Sequence, residues 1–489
     1  MRSTPRWVRT AALALLSLAA AVLPAHAAVY TVTRTLDSAD GPCVDDCSLR
    51  EAVLAANAHS GADVILLGPG TYNLTLAGAG EDSGATGDLD LRDDVTIVGS
   101  GAGSTIVDGG GHDRVFDVSA GVHAEIRGVT IRNGLVAGNG GGVRNAGVLS
   151  VTRSVVTGNT AGQGGNGGGL WTGGPGSQLS LAQDTIAGNV AAGVGGGIEA
   201  AVYLRLDDST INGNRAVNGG GLYVVADSDV LVTDSTIDGN TATQEGGGVF
   251  AEIAPFISVN NPELRNSILA GNTAASQVDC AGAVRSGGYN LLGAGVDCND
   301  FGPAHHDLVG TPAQPLDARL GPLANNGGPT PTQALLANSP AINAGSGCGP
   351  TDQRGQSRPA GSACEIGAFE VGNDCLTGGA TLCLNNDRFR VSVQWRTQQG
   401  AAGSGQAVPL TGESGYFWFF DPANVELTVK VLNGCGTNHH YWAFLSGLTN
   451  VDVTVTVTDT ASGATKTYHS PLGTTFTTTL DAAAFATCP

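Results

Sequence analysis

The 489-residue chain contains 75 Gly, with 41% hydrophobic but only 5% aromatic and 13% charged residues. There is enough apolar material for a core but too little charge for the solvent faces of a helical enzyme, and glycine without a Gly-X-Y period excludes collagen and points to tightly turned β-structure. A formal charge of -20 repels nucleic acid and anionic lipid, hinders an anionic polysaccharide unless cations screen it, and favours divalent cations.

Arg2, Arg6 and Arg9 precede an apolar run from Ala11 to Leu23, and Ala25-His26-Ala27 follows with the small-x-small pattern of a signal-peptidase site. Residues 1–27 therefore read as a signal peptide and the protein as secreted, extracellular or at the cell surface. A membrane anchor needs ~20 apolar residues, so no membrane span is expected here or later in the chain. The ten cysteines all follow this segment, and an even count in an exported chain implies disulfides. Proximity in sequence favours Cys43 with Cys47, Cys280 with Cys298, Cys348 with Cys364, Cys375 with Cys383, and Cys435 with Cys488. Zinc is the rival reading, and it lacks both a C-x2-C spacing and a nearby histidine.

Residues 28–60 read as an N-terminal cap. Val29 to Thr33 is extended, and Ser48 and Glu51 form a capping box ahead of a short amphipathic helix whose stripe is Leu49, Ala52, Val53 and Ala56. Residues 61–279 are assigned to a repeat domain. Its first strands are expected at Val64–Leu67, Tyr72–Leu76, Val95–Val98, Thr105–Val107, Val115–Val118 and Glu125–Ile131. Farther on, Gly-Gly-Gly before an apolar residue recurs at Val143, Leu170, Ile198, Leu222 and Val249, and a Gly-Asn marker recurs at Asn159, Asn189, Asn214, Asn240 and Asn272. Units this short cannot bury their own apolar faces and must stack, which implies a parallel β-solenoid.

Counted back from the Asn marker, position three (Val156, Ile186, Ile211, Ile237, Leu269) and position eight (Val151, Leu181, Leu206, Val232, Leu264) should both point inward. A separation of five breaks strand parity, so a bend is expected at position six. Position five (Ser154, Asp184, Ser209, Ser235, Ser267) should stack as a polar ladder. The repeat then fades, and residues 280–373 are expected to cap the solenoid's open end, where unpaired backbone would otherwise be exposed. Residues 374–489 alternate with period two at Phe389–Trp395, Val425–Val431 and Val451–Val457, as in a C-terminal β-sandwich.

Cys47-Ser48-Leu49-Arg50-Glu51-Ala52 resembles the hallmark of the CSLREA domain of exported bacterial repeat proteins, and the repeats resemble right-handed parallel β-helices of the pectin-lyase-like superfamily. Leu320 to Leu323, Asn326 to Thr330, Ser339 to Gly345, Asp352 to Gly355, Arg358-Pro359 and Glu365 to Glu370 resemble a choice-of-anchor Q domain. That resemblance implies a region beside which surface-sorting tails are attached, although this chain carries no sortase motif, C-terminal hydrophobic helix or basic tail.

The pectin-lyase-like resemblance also implies a search for carboxylates. Asp208, Asp234 and Asp238 are the candidates for an acid and nucleophile pair, and Asp208 and Asp234 for Ca2+; the competing reading is that Asp208 and Asp234 are turn residues at the inferred bend. No other cofactor is expected. The pairs His305-His306 and His439-His440 point to opposite faces of a strand, and Gly164 to Gly169 lacks the lysine and helix of a phosphate loop. Trp418 and Trp442 are candidate sugar-stacking residues of the sandwich. These features point to a monomeric, non-catalytic attachment or binding protein for a polysaccharide or other cell-surface ligand, with a polysaccharide lyase or glycosidase as the alternative.

Overall fold

The computed structural model describes residues 27–253, 261–295, 298, 300–336, 338–360, 362–371, 379–385, 388–460, 462 and 464–488. Residues 1–26, which make up nearly all of the expected signal peptide, and Cys375 lie outside them. The fold is the expected one: a parallel β-solenoid with a short N-terminal helix, followed by an antiparallel sandwich. Among the described residues the solenoid sheets have ten, ten, eight and five strands. The first face contains strands such as Val148–Thr152 and Gln178–Ala182, the second Val155–Thr157 and Thr185–Ala187, and the third Val143–Asn145 and Leu170–Thr172. Short pairs such as Thr160–Ala161 form the fourth.

The two inward columns are buried, with Val151, Val156, Ile186, Leu206, Ile211, Val232, Ile237 and Leu264 fully so. Position six is the bend. Arg153, Gln183, Asp208, Asp234 and Asn266 have φ of 51°, 61°, 44°, 49° and 50°, in the left-handed region, so the chain turns the corner between the first and second faces on one residue. The same corner divides the single strand expected at Glu125–Ile131 into His123–Arg127 and Thr130–Arg132, with Gly128 at φ 67° between them. The position-five ladder is also present. Each backbone N–H donates to the side chain one turn on: Ser154 N to Asp184 Oδ1, Asp184 N to Ser209 Oγ, Ser209 N to Ser235 Oγ and Ser235 N to Ser267 Oγ, at 2.8–3.2 Å.

The marker asparagines form a second, deeper ladder. Asn159, Asn189, Asn214 and Asn240 each donate from N and Nδ2 to the Oδ1 of the next asparagine at 2.9–3.0 Å, and all are fully buried. This ladder explains why the two sequence markers advance together. A Cβ on Gly221 would lie 3.1 Å from the Asn240 amide and 2.7 Å from the Gly248 carbonyl, so the third glycine of the triplet makes room for the asparagine.

The helix, Leu49–Ala58, has the expected capping box and buries Leu49, Ala52, Val53 and Ala56 against the first strands. Arg50 is fully buried beside them. Its Nε and Nη2 donate to Asp37 at 2.8 and 3.2 Å, and its remaining N–H groups reach the carbonyls of Gly84, Gly87 and Asp88. All five guanidinium donors are satisfied, so one side chain ties the helix to the loop at 84–88.

Residues 280–373 do more than close an end. Cys280–Gly282, Arg285–Gly288 and Leu291–Leu292 still belong to the stack. From about Leu316 the chain instead runs back along the outside of the solenoid, so the expected end cap is mostly a lateral clasp. The reason is the second face, whose outward polar and apolar residues need cover: Ile268, Ala270 and Leu291 pack against Ala318, Leu335, Ala341, Ile366 and Phe369.

The sandwich has two five-stranded antiparallel sheets around a shared core that includes Phe389, Val391, Val393, Phe417, Val429, Val431, Val453, Val455 and Val457. Val425 falls just before its expected strand, which runs Leu427–Gly434. Four of the expected cysteine pairs are joined, with Cα atoms 4.4, 6.1, 6.6 and 5.6 Å apart for Cys43–Cys47, Cys280–Cys298, Cys348–Cys364 and Cys435–Cys488. Among the described residues no helix is long and apolar enough to cross a membrane.

Candidate functional site

Asp208 and Asp234 come together at the bend, lining a cavity of about 420 Å³ with Arg205, Glu263, Arg265 and Gly349. The clasp supplies their main partner. Arg358 Nη1 lies 3.6 Å from Asp208 Oδ1 and 3.1 Å from Asp234 Oδ1, and Arg358 Nε lies 3.4 Å from Glu370. Asn266 Nδ2 and the Gly349 backbone N donate to Asp234 at 2.5 and 2.9 Å. Burial pushes the Asp208 carboxyl up to about 7, with Arg358 opposing and Asp234 adding to the rise. A guanidinium whose side chain is fully buried therefore already stands where a cation shared by the two aspartates would sit. Asp238 does not join them. It accepts from Gln333 Nε2 at 2.7 Å, and it lines a different cavity of about 410 Å³ with Asp279 and Leu316.

The clasp is itself a buried polar network. Gln353, fully buried, donates to the Asp184 carbonyl and to Thr330 Oγ1 at 3.0 Å and accepts from Thr210 Oγ1 at 2.6 Å. Arg354 pairs with Asp352 at 2.8 Å, its guanidinium 3.5 Å from the Phe369 ring centre. Burial and the contact with Glu370 push the Glu365 carboxyl up. The aspartate pair at the bend is part of this seam, and its geometry binds the clasp to the solenoid.

The third face presents a different surface, which the reading of carboxylates missed. Its outward positions, one per turn, are Arg144, Trp171, Glu199, Tyr223 and Phe250, in register from strand to strand. Neighbouring strands lie ~4.8 Å apart, so this is a continuous row along the solenoid axis. The Arg144 guanidinium lies 5.7 Å from the Trp171 ring centre, and Tyr223 and Phe250 stack with centroids 5.1 Å apart and planes 2° from parallel. Tyr223 OH donates to Glu252 at 2.5 Å. Glu199, 6% exposed, is pushed up to about 7 by burial, against hydrogen bonds from Asn166 and Trp171, and its Oε2 has no hydrogen-bond partner. The column was readable: it is the residue immediately after each Gly-Gly-Gly-apolar marker.

In the sandwich, Trp418 and Trp442 are both half-buried on outward strand positions, but they are not neighbours. Trp442 pairs with Leu432, whereas Trp418 lies beyond the Phe417–Leu427 pair, ~20 Å away along the strands. Trp442 Nε1 donates to Asn438 Oδ1 at 2.8 Å. His306 stacks on Tyr289 while His305 faces Asp300, and His439 turns in the left-handed region ahead of His440, whose Nδ1 faces the Asn438 carbonyl, so neither histidine pair converges on a shared point. No family profile, curated protein or solved structure matches this chain.

Proposed function

We propose that the protein is an exported, non-catalytic binding protein that lays the third face of its solenoid along an extended neutral polysaccharide of a cell surface or matrix. The observation that carries this reading is the row of Arg144, Trp171, Glu199, Tyr223 and Phe250, in which the half-buried rings of Trp171 and Phe250 and the buried ring of Tyr223 stand in register with Arg144 and Glu199 at a repeating step. Aromatic faces stack on sugar rings while carboxyl, guanidinium and phenol groups meet hydroxyls, and a charge of -20 disfavours polyanions. The signal-like N-terminus and the paired cysteines support export. Trp418 and Trp442 of the sandwich point outward but stand ~20 Å apart and contribute little to this contact, and the protein acts as a monomer.

A second reading, a polysaccharide lyase or glycosidase, draws support from Asp208, raised to about 7 beside Asp234 at an open cavity. The mature protein is incubated with neutral glucans, mannans and xylans and with polyuronates, and retention and product release are measured together. The binding reading expects retention on a neutral polymer with no reducing-end or unsaturated product. Product release that disappears in Asp208→Ala would establish the enzyme reading instead.

A further inference from the structure

We propose that Asp88, Asp90 and Asp117, with Asp113 beside them, form a Ca2+ site in the first turns of the solenoid. One carboxylate oxygen from each of Asp88, Asp90 and Asp117 lies within 4.8 Å of the others. Two oxygens bound to one Ca2+ at 2.3–2.6 Å stand at most ~5 Å apart, so a single ion spans the three. Asp90 and Asp117 are paired residues on adjacent strands of the third face, Leu89–Leu91 and Phe116–Val118, which fixes their spacing by backbone register. Asp88 enters from the loop that Arg50 holds by three carbonyls.

The independent sign of a missing ligand is unpaired buried oxygen. Asp90 is 4% exposed and Asp113 2% exposed, yet Asp90 Oδ2 and Asp113 Oδ2 accept no hydrogen bond. Asp117 is the neighbouring charge that raises Asp90 most, and Asp113 the one that raises Asp88 most. Arg114 Nη1 bridges Asp88 and Asp117 at 2.9 and 2.8 Å, and Arg144 reaches Asp117 at 2.9 Å. Four carboxylates against two guanidiniums leave two negative charges, which one divalent cation neutralises. In its absence, burial first and then the neighbouring aspartates hold Asp88 and Asp90 up at about 7. An all-oxygen site of several carboxylates suits Ca2+ better than Mg2+, which keeps most of its waters.

The test is calorimetric titration of EDTA-treated full-length mature protein with Ca2+ and with Mg2+ at pH 7.5, paired with thermal melts. Saturable Ca2+ binding with a raised Tm is expected, at least tenfold weaker in Asp90→Asn and unchanged in Asp208→Asn. Asp113→Asn serves as a second variant should Asp90→Asn not fold. No Ca2+ binding at millimolar concentration by the wild-type protein would overturn the proposal. Binding that survives both Asp90→Asn and Asp113→Asn, or that disappears only in Asp208→Asn, would do so as well.

Discussion

Asn214 shows how much one residue does in this fold. Its Nδ2 donates to the Ile186 carbonyl and to Asn240 Oδ1, and its own Oδ1 accepts from the backbone and side chain of Asn189. Removing the amide strands fully buried groups on two adjacent turns, so Asn214→Ala should lower stability by ~1–3 kcal/mol in urea denaturation. Asp208 works in the opposite sense at neutral pH. Its carboxyl, ordinarily at 3.8, is held up at about 7 mainly by burial, so the folded protein keeps a proton that the unfolded chain has already released. Its contribution is complete below pH 3.8 and is lost as pH rises through 7. Asp208→Asn, which keeps a residue tolerant of the left-handed bend, should therefore flatten the fall in Tm between pH 5 and about 8 without changing the fold.

At the scale of elements, the helix and the clasp are the two attachments to the solenoid that sequence patterns describe unequally. The capping box and the stripe of Leu49, Ala52, Val53 and Ala56 are local, with every partner needed to recognise them within a few residues, and they are legible. The role of Arg50 is not, because its partners at Asp37 and at 84–88 are set by the stacked structure. Arg50→Ala leaves Asp37 without its guanidinium and should cost ~3–5 kcal/mol, against ~1 kcal/mol for Ser48→Ala at the cap, both read by chemical denaturation. The flanking position of the clasp was hidden for the same reason. Gln353 meets Asp184 across 169 positions, and Gly349 meets Asp234 across 115, with no periodic signal to betray either. What sequence did reveal was the bend at position six, because five residues with mixed side chains share one parity break. The third-face row escaped notice since Arg144, Trp171, Glu199, Tyr223 and Phe250 differ in chemistry at every turn, and only their common offset from the glycine marker unites them.

At the scale of the whole molecule, buried carboxyls set the pH response. Asp88, Asp90, Glu199 and Asp208 are all raised to about 7 and Glu365 to about 8, each by burial first. Stability from these groups is lost as pH rises through that range. Glu51 acts at the other end: burial pushes it up, but hydrogen bonds from Ser48, Asp40 and Ser38 outweigh that and hold it at about 2, so its contribution is lost only as pH falls from 4.5 toward that value. Tm should therefore be highest at or below about pH 4, where the raised carboxyls are still protonated in both states, and decline toward pH 8. With Ca2+ bound at Asp88 and Asp90, the alkaline decline should be shallower, which melts with Ca2+ or EDTA would measure.

The central claim, that the third face rather than the acidic bend or the sandwich carries binding, is tested most directly by comparing affinities for whichever neutral polysaccharide retains the wild-type protein. Trp171→Ala should weaken binding about tenfold, equivalent to ~1.4 kcal/mol, while Asp208→Asn and Trp442→Ala change it by less than about twofold. Undiminished affinity in Trp171→Ala, with loss in Trp442→Ala, would contradict the account and move the binding surface to the sandwich.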